Sequence, residues 1–374
     1  MSEGPECLLG FTVPHGELFN VKTAHTVFTG MTQQGKTTAV EAVLRRQETR
    51  KTLVFLTKRG EKTFADAERI TPFYRERFDW EYVRSLLEAS MKERLKFETP
   101  WIIRICKQAQ HELAISGKDL AKLSPGEGLR VVRKLLATML TSEKGLRDLD
   151  RNMYTLLAAY IDKVLPTLES AASQLTDTLT LMPGINCMDL TGWYTHEEVQ
   201  MLIIRSCMEV ILEKENDVSV ALPEAWKMLP QNRNTPVKLY FEKFIREGAT
   251  NGNYLYIDAQ DLGGVDKTPL RQVSVWIMGR MMEANEVARL LKQTLGLKVP
   301  AEEVQTLPLG HFMVAMGEAV KKVYVLPYDV PESAGAAVAW GSRSPESVRD
   351  EYLKPRSVEV EDLVWKEKFE EEKR

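Results

Sequence analysis

Read for hydrophobic and polar positions, the chain alternates between short apolar runs and long stretches with apolar residues at helical spacing. "HTVFTG" (25–30) predicts a short buried strand, and "KTTAVEAVLRRQ" after it predicts a helix. "TLVFLTKRGE" (52–61) supplies a second apolar strand ending in a charged turn. The next stretch changes character. "WEYVRSLLEASMKERLKFE", "WIIRICKQAQHELA", "GLRVVRKLLATML" and "DRNMYTLLAAYIDKVL" all repeat apolar residues at helical spacing, broken by turns such as "SPGEG". They predict a helical block over 62–180.

Strand character returns at "INCMDLTGW" (185–193), before the helical pattern "THEEVQMLIIRSCMEVILEKEN", with Thr195 as its expected cap. "DVSVALPEAW", a further helix, "NYLYIDAQDL" (253–262), "HFMVAM" (311–316) and "VYVLP" (323–327) complete the pattern. Strands alternating with helices predict an α/β fold, a parallel or mixed sheet covered on both faces. The expected organisation is discontinuous. Residues 1–61 and 181–330 form the sheet core, 62–180 a helical insertion after the second strand, and 331–374 a charged tail. The end of that tail, "VEVEDLVWKEKFEEEKR", reads as a solvated helix.

Composition changes this picture little. The chain has 374 residues, 28% charged and 44% hydrophobic, with a formal net charge of −3, as in an ordinary globular protein. Charge alone marks no nucleic-acid partner, although a few basic loops could carry one within a neutral balance. Cys7, Cys106, Cys187 and Cys207 have no metal-ligand spacing and are expected as reduced core thiols. The acidic opening "MSEGPE" lacks an apolar signal segment. No apolar run approaches the ~18 residues that span a bilayer. A soluble, cytoplasmic protein without membrane contact is expected.

The chemistry concentrates in "TGMTQQGKTT" (29–38), which fits Gly, any four residues, Gly-Lys-Thr between a strand and a helix. Backbone N–H groups of such a loop wrap a phosphate, and the helix start adds roughly half a positive charge. The expected nucleotide-binding set is Gly30, Met31, Thr32, Gln33, Gln34, Gly35, Lys36, Thr37 and Thr38. Lys36 would reach the β- and γ-phosphates and the Thr37 hydroxyl would coordinate Mg²⁺. Gln33 stands where such loops often carry glycine, which is acceptable if its φ is negative. Hydrolysis also needs carboxylates. "YLYID" offers Asp258 and "VSVALPEAW" offers Glu224 after Pro223; pattern alone favours Asp258.

"HTVFTGMTQQGKTT", "INCMDLTGW", "VALPEAWKML", "FIREGATNGNYLYIDAQD" and "LPLGHFMVAMGE" stand in an order and register that resembles the HerA/FtsK superfamily of hexameric DNA-pumping ATPases. The HerA-like branch of archaea and mobile elements is the most similar. The resemblance covers about 1–60 and 180–330. It implies a RecA-like P-loop NTPase core that uses ATP and Mg²⁺. It implies a homo-oligomeric ring, a hexamer, hydrolysing ATP at subunit interfaces as a translocase or helicase-like motor on double-stranded DNA held without sequence readout. A nuclease or other mobile-element protein is the kind of partner it suggests. With about 25 residues before the loop, the family's N-terminal barrel domain is not expected.

The same resemblance makes "VALPEAW" the Walker B strand, so Glu224 polarises water, Gln260 senses the γ-phosphate, and Lys36 completes the catalytic set. Two departures bear on chemistry: Pro223 replaces the Mg²⁺-side Asp, and Ala249 stands where the family carries its finger arginine. Asp258 shares a strand face with Gln260 and is a candidate Mg²⁺ ligand in compensation; the alternative is that it caps the strand end or pairs with a lysine. Arg246, Arg271 and Arg280 are candidates to reach a neighbour's nucleotide, each against the alternative of a surface ion pair. Loss of a finger arginine reduces turnover by ~10³–10⁵ where one is used. The rival reading is therefore a nucleotide-binding switch or assembly scaffold with weak or no hydrolysis. A small-molecule kinase lacks an acceptor-site motif. "TKRGEK", "RVVRKLL" and "KGLRDLDR" read as solvated faces or as contacts to a subunit or DNA, and His25 as a local packing or hydrogen-bonding residue.

Overall fold

Apolar runs rich in Val, Ile, Leu and Phe condense into a single sheet. The computed structural model describes residues 5–353, apart from 32, 48, 60–62, 75–77, 143–145, 173, 223, 233, 260–261, 283 and 295. Its strands are β1 (Glu6–Thr12), β2 (Leu18–Lys22), β3 (Thr26–Thr29), β4 (Lys51–Leu56), β5 (Glu68–Ile70) and β6 (Gly184–Asp189). They continue with β7 (Val218–Leu222), β8 (Tyr254–Ala259), β9 (Val275–Met278), β10 (His311–Met316) and β11 (Ala319–Val325). The order across the sheet is β2-β1-β11-β10-β9-β3-β8-β7-β4-β6-β5. From β9 to β5 the pairs are parallel, and from β9 to β2 they are antiparallel. Helices cover the parallel part, so β3 and β7 are buried at every residue and show no alternation.

β9 falls on the strand-like run "VSVWIMG" before Arg280, and three further strands, β1, β2 and β5, lie where the pattern predicts none. In β2 only Val21 is buried and in β5 no residue is, so neither leaves an apolar run to read. β1 is apolar, and its partner β11 lies more than three hundred residues away in sequence. Thr195 is not a helix cap: the helix Glu197–Lys214 begins after His196, without a side-chain capping bond.

Between β5 and β6 run the helices Trp80–Met91, Thr99–Ile115, Pro125–Ser142 and Asp148–Ala172. Asp79 starts the first by accepting the Tyr82 N–H at 2.7 Å. Their buried faces, with Tyr82, Leu86, Ile102, Leu129 and Leu157, join the same core as Val27 and Phe55 of the sheet. Arg205, on Glu197–Lys214, is clamped between the rings of Tyr82 and Tyr240 at 4.4 and 5.0 Å, which fastens the helical block to the core. The two arginines of "RVVRKLL" are engaged within the block. Arg130 pairs with Glu169 at 3.0 Å and Arg133 with Asp162 at 2.7 and 2.9 Å.

Residues 332–352, within the segment expected as a tail, form the helices Glu332–Ala339 and Pro345–Tyr352. Val338 and Val348 pack with Phe11 and Tyr324, covering β1 and β11. "VEVEDLVWKEKFEEEKR" lies outside the described residues. No described helix is long and apolar enough to cross a membrane.

Candidate nucleotide site

The loop after β3 is fixed by its neighbours. Gly279 donates its N–H to the Thr29 carbonyl at 2.7 Å, Met31 donates to Arg280 at 2.8 Å, and Gly310 donates to Gln34 at 3.4 Å. Gly30 has φ 147°, and a Cβ there would lie 3.2 Å from Gly279 Cα, so this position requires glycine. Gly35 is left-handed and caps the helix Lys36–Arg45. Gln33 also has positive φ, at 64°, so the condition under which it could replace glycine without strain is not met. A side chain in that region costs about 1 kcal/mol, held here by the three bonds that clamp the loop. Thr37 is exposed and Thr38 half-buried at the helix start; Thr32 lies outside the described residues.

Lys36 is buried, and its ammonium lies 2.6 Å from Asp258 Oδ1. Burial lowers its pKa; Asp258 and Glu224 pull it back up and Lys58 pushes it further down. Asp258 stands beside Phe28 in the β3–β8 register. It lines a small, partly open cavity with Thr37, Thr63 and Tyr256. Of the two sequence alternatives for Asp258, the lysine contact is present, and the lysine is that of the loop itself.

Glu224 follows the carboxyl end of β7. Its backbone is left-handed, with φ 48° and ψ 51°, at the start of the short helix Ala225–Met228. One carboxylate oxygen lies 2.7 Å from Lys227 and the other 3.5 Å from Lys58, beyond the end of β4. Residue order alone does not announce this cluster. The Lys227 contact was legible as a three-residue spacing on a helix, but the Lys58 contact needs β4 beside β7. β8 separates the loop strand β3 from β7. Gln260 and Pro223 lie outside the described residues.

The arginines divide by position. Arg246 ends the helix Pro236–Glu247, exposed near the amino end of β8, across the sheet from its own loop. Arg271 is exposed just before β9, at that same far end. Arg280 instead flanks its own chain's loop through the Met31 contact. A second, shallow cleft opens beside Gly35 and Thr38, with apolar walls from Gly310, Tyr324, Pro327 and Leu353. His25 is buried and accepts the Leu255 N–H at 3.1 Å, a local structural bond. The four cysteines are free and buried. Among the described residues no group of three His, Cys, Asp or Glu side chains is gathered for a metal ion.

No protein-family model matches the chain, and no curated protein matches it. Solved structures do. VirB4 of Thermoanaerobacter pseudethanolicus aligns over 87% of this chain and 97% of its own, with TM-score 0.62 and 11% identity. The chain shares the RecA-like α/β fold of that protein. The bacterial conjugative coupling protein TrwBΔN70, in its trigonal form with sulphate, aligns over 90% of this chain and 97% of its own, with TM-score 0.52 and 10% identity. Plasmid coupling protein TrwB with the non-hydrolysable GTP analogue GDPNP aligns over 81% and 86%, with TM-score 0.50 and 10% identity. At these identities the likeness to VirB4 and TrwB is one of fold. With this strand order, the loop and Glu224 both stand at the carboxyl edge of the parallel strands, where open α/β sheets take their ligands.

Proposed function

We propose that this chain is an ATP-driven motor of the DNA-translocating type. It acts as a homo-oligomeric ring, a hexamer on the family pattern, on double-stranded DNA. The observation that carries the hydrolytic part is the convergence of Lys36 and Glu224, from separate strands, on one charged cluster at the sheet edge. DNA and ring assembly rest on the sequence resemblance, and the shared fold of a plasmid coupling protein supports them.

In this reading the loop N–H groups and Lys36 take the β- and γ-phosphates, and the base enters the apolar cleft beside Thr38. Glu224 accepts a hydrogen bond from the attacking water. Gln260 would monitor the γ-phosphate, as the sequence resemblance implies. Thr37 and Asp258, which line one cavity, are the residues that would hold Mg²⁺. Mg²⁺ held by these residues would supply charge neutralisation at the phosphates. An arginine presented to a neighbouring subunit would come from Arg246 or Arg271, at the far end of the sheet.

The Lys36–Asp258 pair favours a second reading, a nucleotide-controlled switch or scaffold, because it occupies the phosphate-binding ammonium. ATP hydrolysis by the purified protein, with and without double-stranded DNA, beside Lys36→Ala and Glu224→Gln, separates the two. The motor requires DNA-stimulated turnover that both substitutions abolish. Tight ATP binding without turnover establishes the switch instead.

A further inference from the structure

Hydrolysis gains from a further cation on the transferred phosphoryl group besides the loop lysine and Mg²⁺, and Ala249 stands where the sequence resemblance puts an arginine. A candidate lies within the same chain. Lys58 projects from the turn after β4, 3.5 Å from Glu224 Oε1 and close enough to Lys36 to depress its pKa. The turn is anchored. Gln200 donates to the Thr57 carbonyl at 3.1 Å and to Leu190 at 2.9 Å, and Leu190 donates its N–H to Leu56 at 2.8 Å.

The two lysines on Glu224 are not equivalent. Lys227 lies 2.7 Å from its oxygen with 22% of its side chain exposed; Lys58 lies at 3.5 Å with 36% exposed. Lys58 is therefore the looser partner, and its departure leaves Glu224 still paired with Lys227. The γ-phosphate must lie within reach of Lys36, and the attacking water within reach of Glu224. Lys58 acts on both residues.

We propose that Lys58 is a catalytic residue that supplies, within its own subunit, the cation for the γ-phosphoryl group. It leaves Glu224 as nucleotide enters. This rests on the hydrolytic reading above. In the step, the water oxygen bonds to the γ-phosphorus as the bond to the β–γ bridging oxygen breaks, and that electron pair leaves on ADP. Glu224 takes the water proton and returns it to solvent, giving ADP, phosphate and a proton. Lys58 is not consumed; it offsets charge on the equatorial oxygens.

The test compares Lys58→Ala and Lys58→Arg with the unaltered protein in steady-state ATP hydrolysis and in trapping of ADP with aluminium fluoride. Lys58→Ala should lower kcat by ~10²-fold, the cost of one preorganised donor, with KM changed by less than about threefold. It should lose the trapped ADP–aluminium fluoride complex yet bind ADP normally, which also shows that it is folded. Lys58→Arg should restore most of the turnover, because the cation is kept. Rings mixed from Lys58→Ala and Lys36→Ala subunits should stay inactive, since each subunit lacks part of its own site.

Turnover and trapping by Lys58→Ala equal to those of the unaltered protein would overturn the proposal while leaving hydrolysis intact. Restored activity in the mixed rings would overturn the within-subunit assignment. An unaltered protein that neither hydrolyses ATP nor traps the fluoride complex would remove the hydrolytic reading itself, and this one with it.

Discussion

Lys36 Nζ lies 2.6 Å from Asp258 Oδ1, so the ammonium that would bind phosphate is held by a carboxylate on the adjacent strand. Both side chains are mostly shielded from water, at 5% and 15% exposure. On the proposed reading, a nucleotide would have to displace Asp258 from the lysine.

Asp258→Asn should strengthen nucleotide binding without Mg²⁺ by about tenfold, a gain of about 1.4 kcal/mol, because the competing charge is gone. The same change should remove most of the strengthening that Mg²⁺ gives the unaltered protein. Titration calorimetry with ATPγS, with and without Mg²⁺, reads both effects. An unchanged Mg²⁺ dependence rules out Asp258 as a metal ligand.

Lys36→Met leaves Asp258 shielded and without its cation. Denaturant unfolding should show a loss of about 1–3 kcal/mol, at the lower end if water reaches Asp258. Lys36→Met combined with Asp258→Asn should recover most of that loss, because the two residues are directly coupled. Additive losses would mean that the pair contributes nothing in solution.

Gln33 has φ 64° in the clamped loop. Gln33→Gly should stabilise the protein by up to about 1 kcal/mol, less the greater backbone entropy that glycine loses on folding. ATP affinity should be unchanged. Gln33→Ala relieves no strain and serves as the control, and equal stability of the two variants would contradict a left-handed Gln33.

His25 binds the start of β8 through Leu255, and burial lowers its pKa from 6.5 to about 4. The folded state thus favours the neutral ring. Its contribution is full above pH 6.5 and is lost as pH falls towards about 4. At about 1.4 kcal/mol per unit the loss amounts to about 3.5 kcal/mol. Unfolding measured across that range should show this slope, and His25→Gln should flatten it.

Arg246 and Arg280 lie at opposite ends of the parallel strands, one remote from its own loop and one bonded to it through the backbone. Mixed rings of Arg246→Ala and Lys36→Ala subunits should regain ATPase activity if Arg246 serves a neighbour. Mixtures of Arg280→Ala with Lys36→Ala should not, because each subunit lacks part of its own site. Activity in the second mixture alone would reverse the assignment.

What the chain determined by itself is local. Apolar runs set the strands of the buried parallel sheet, because strands covered on both faces need no polar alternation. The spacing from Gly30 to Thr37 placed the loop between a strand and a helix, since that geometry depends on neighbours in sequence. Edge strands β2 and β5 were illegible, having almost no buried residues to mark them. Gln33's left-handed backbone was equally hidden, being enforced by bonds to the loop from Arg280 and Gly310. The order β3-β8-β7-β4 is a tertiary decision. It sets Asp258 beside Lys36 and brings Lys58 to Glu224. Charges so far apart in sequence meet only when separately formed strands lie side by side and their shared edge excludes enough water for the pairs to matter.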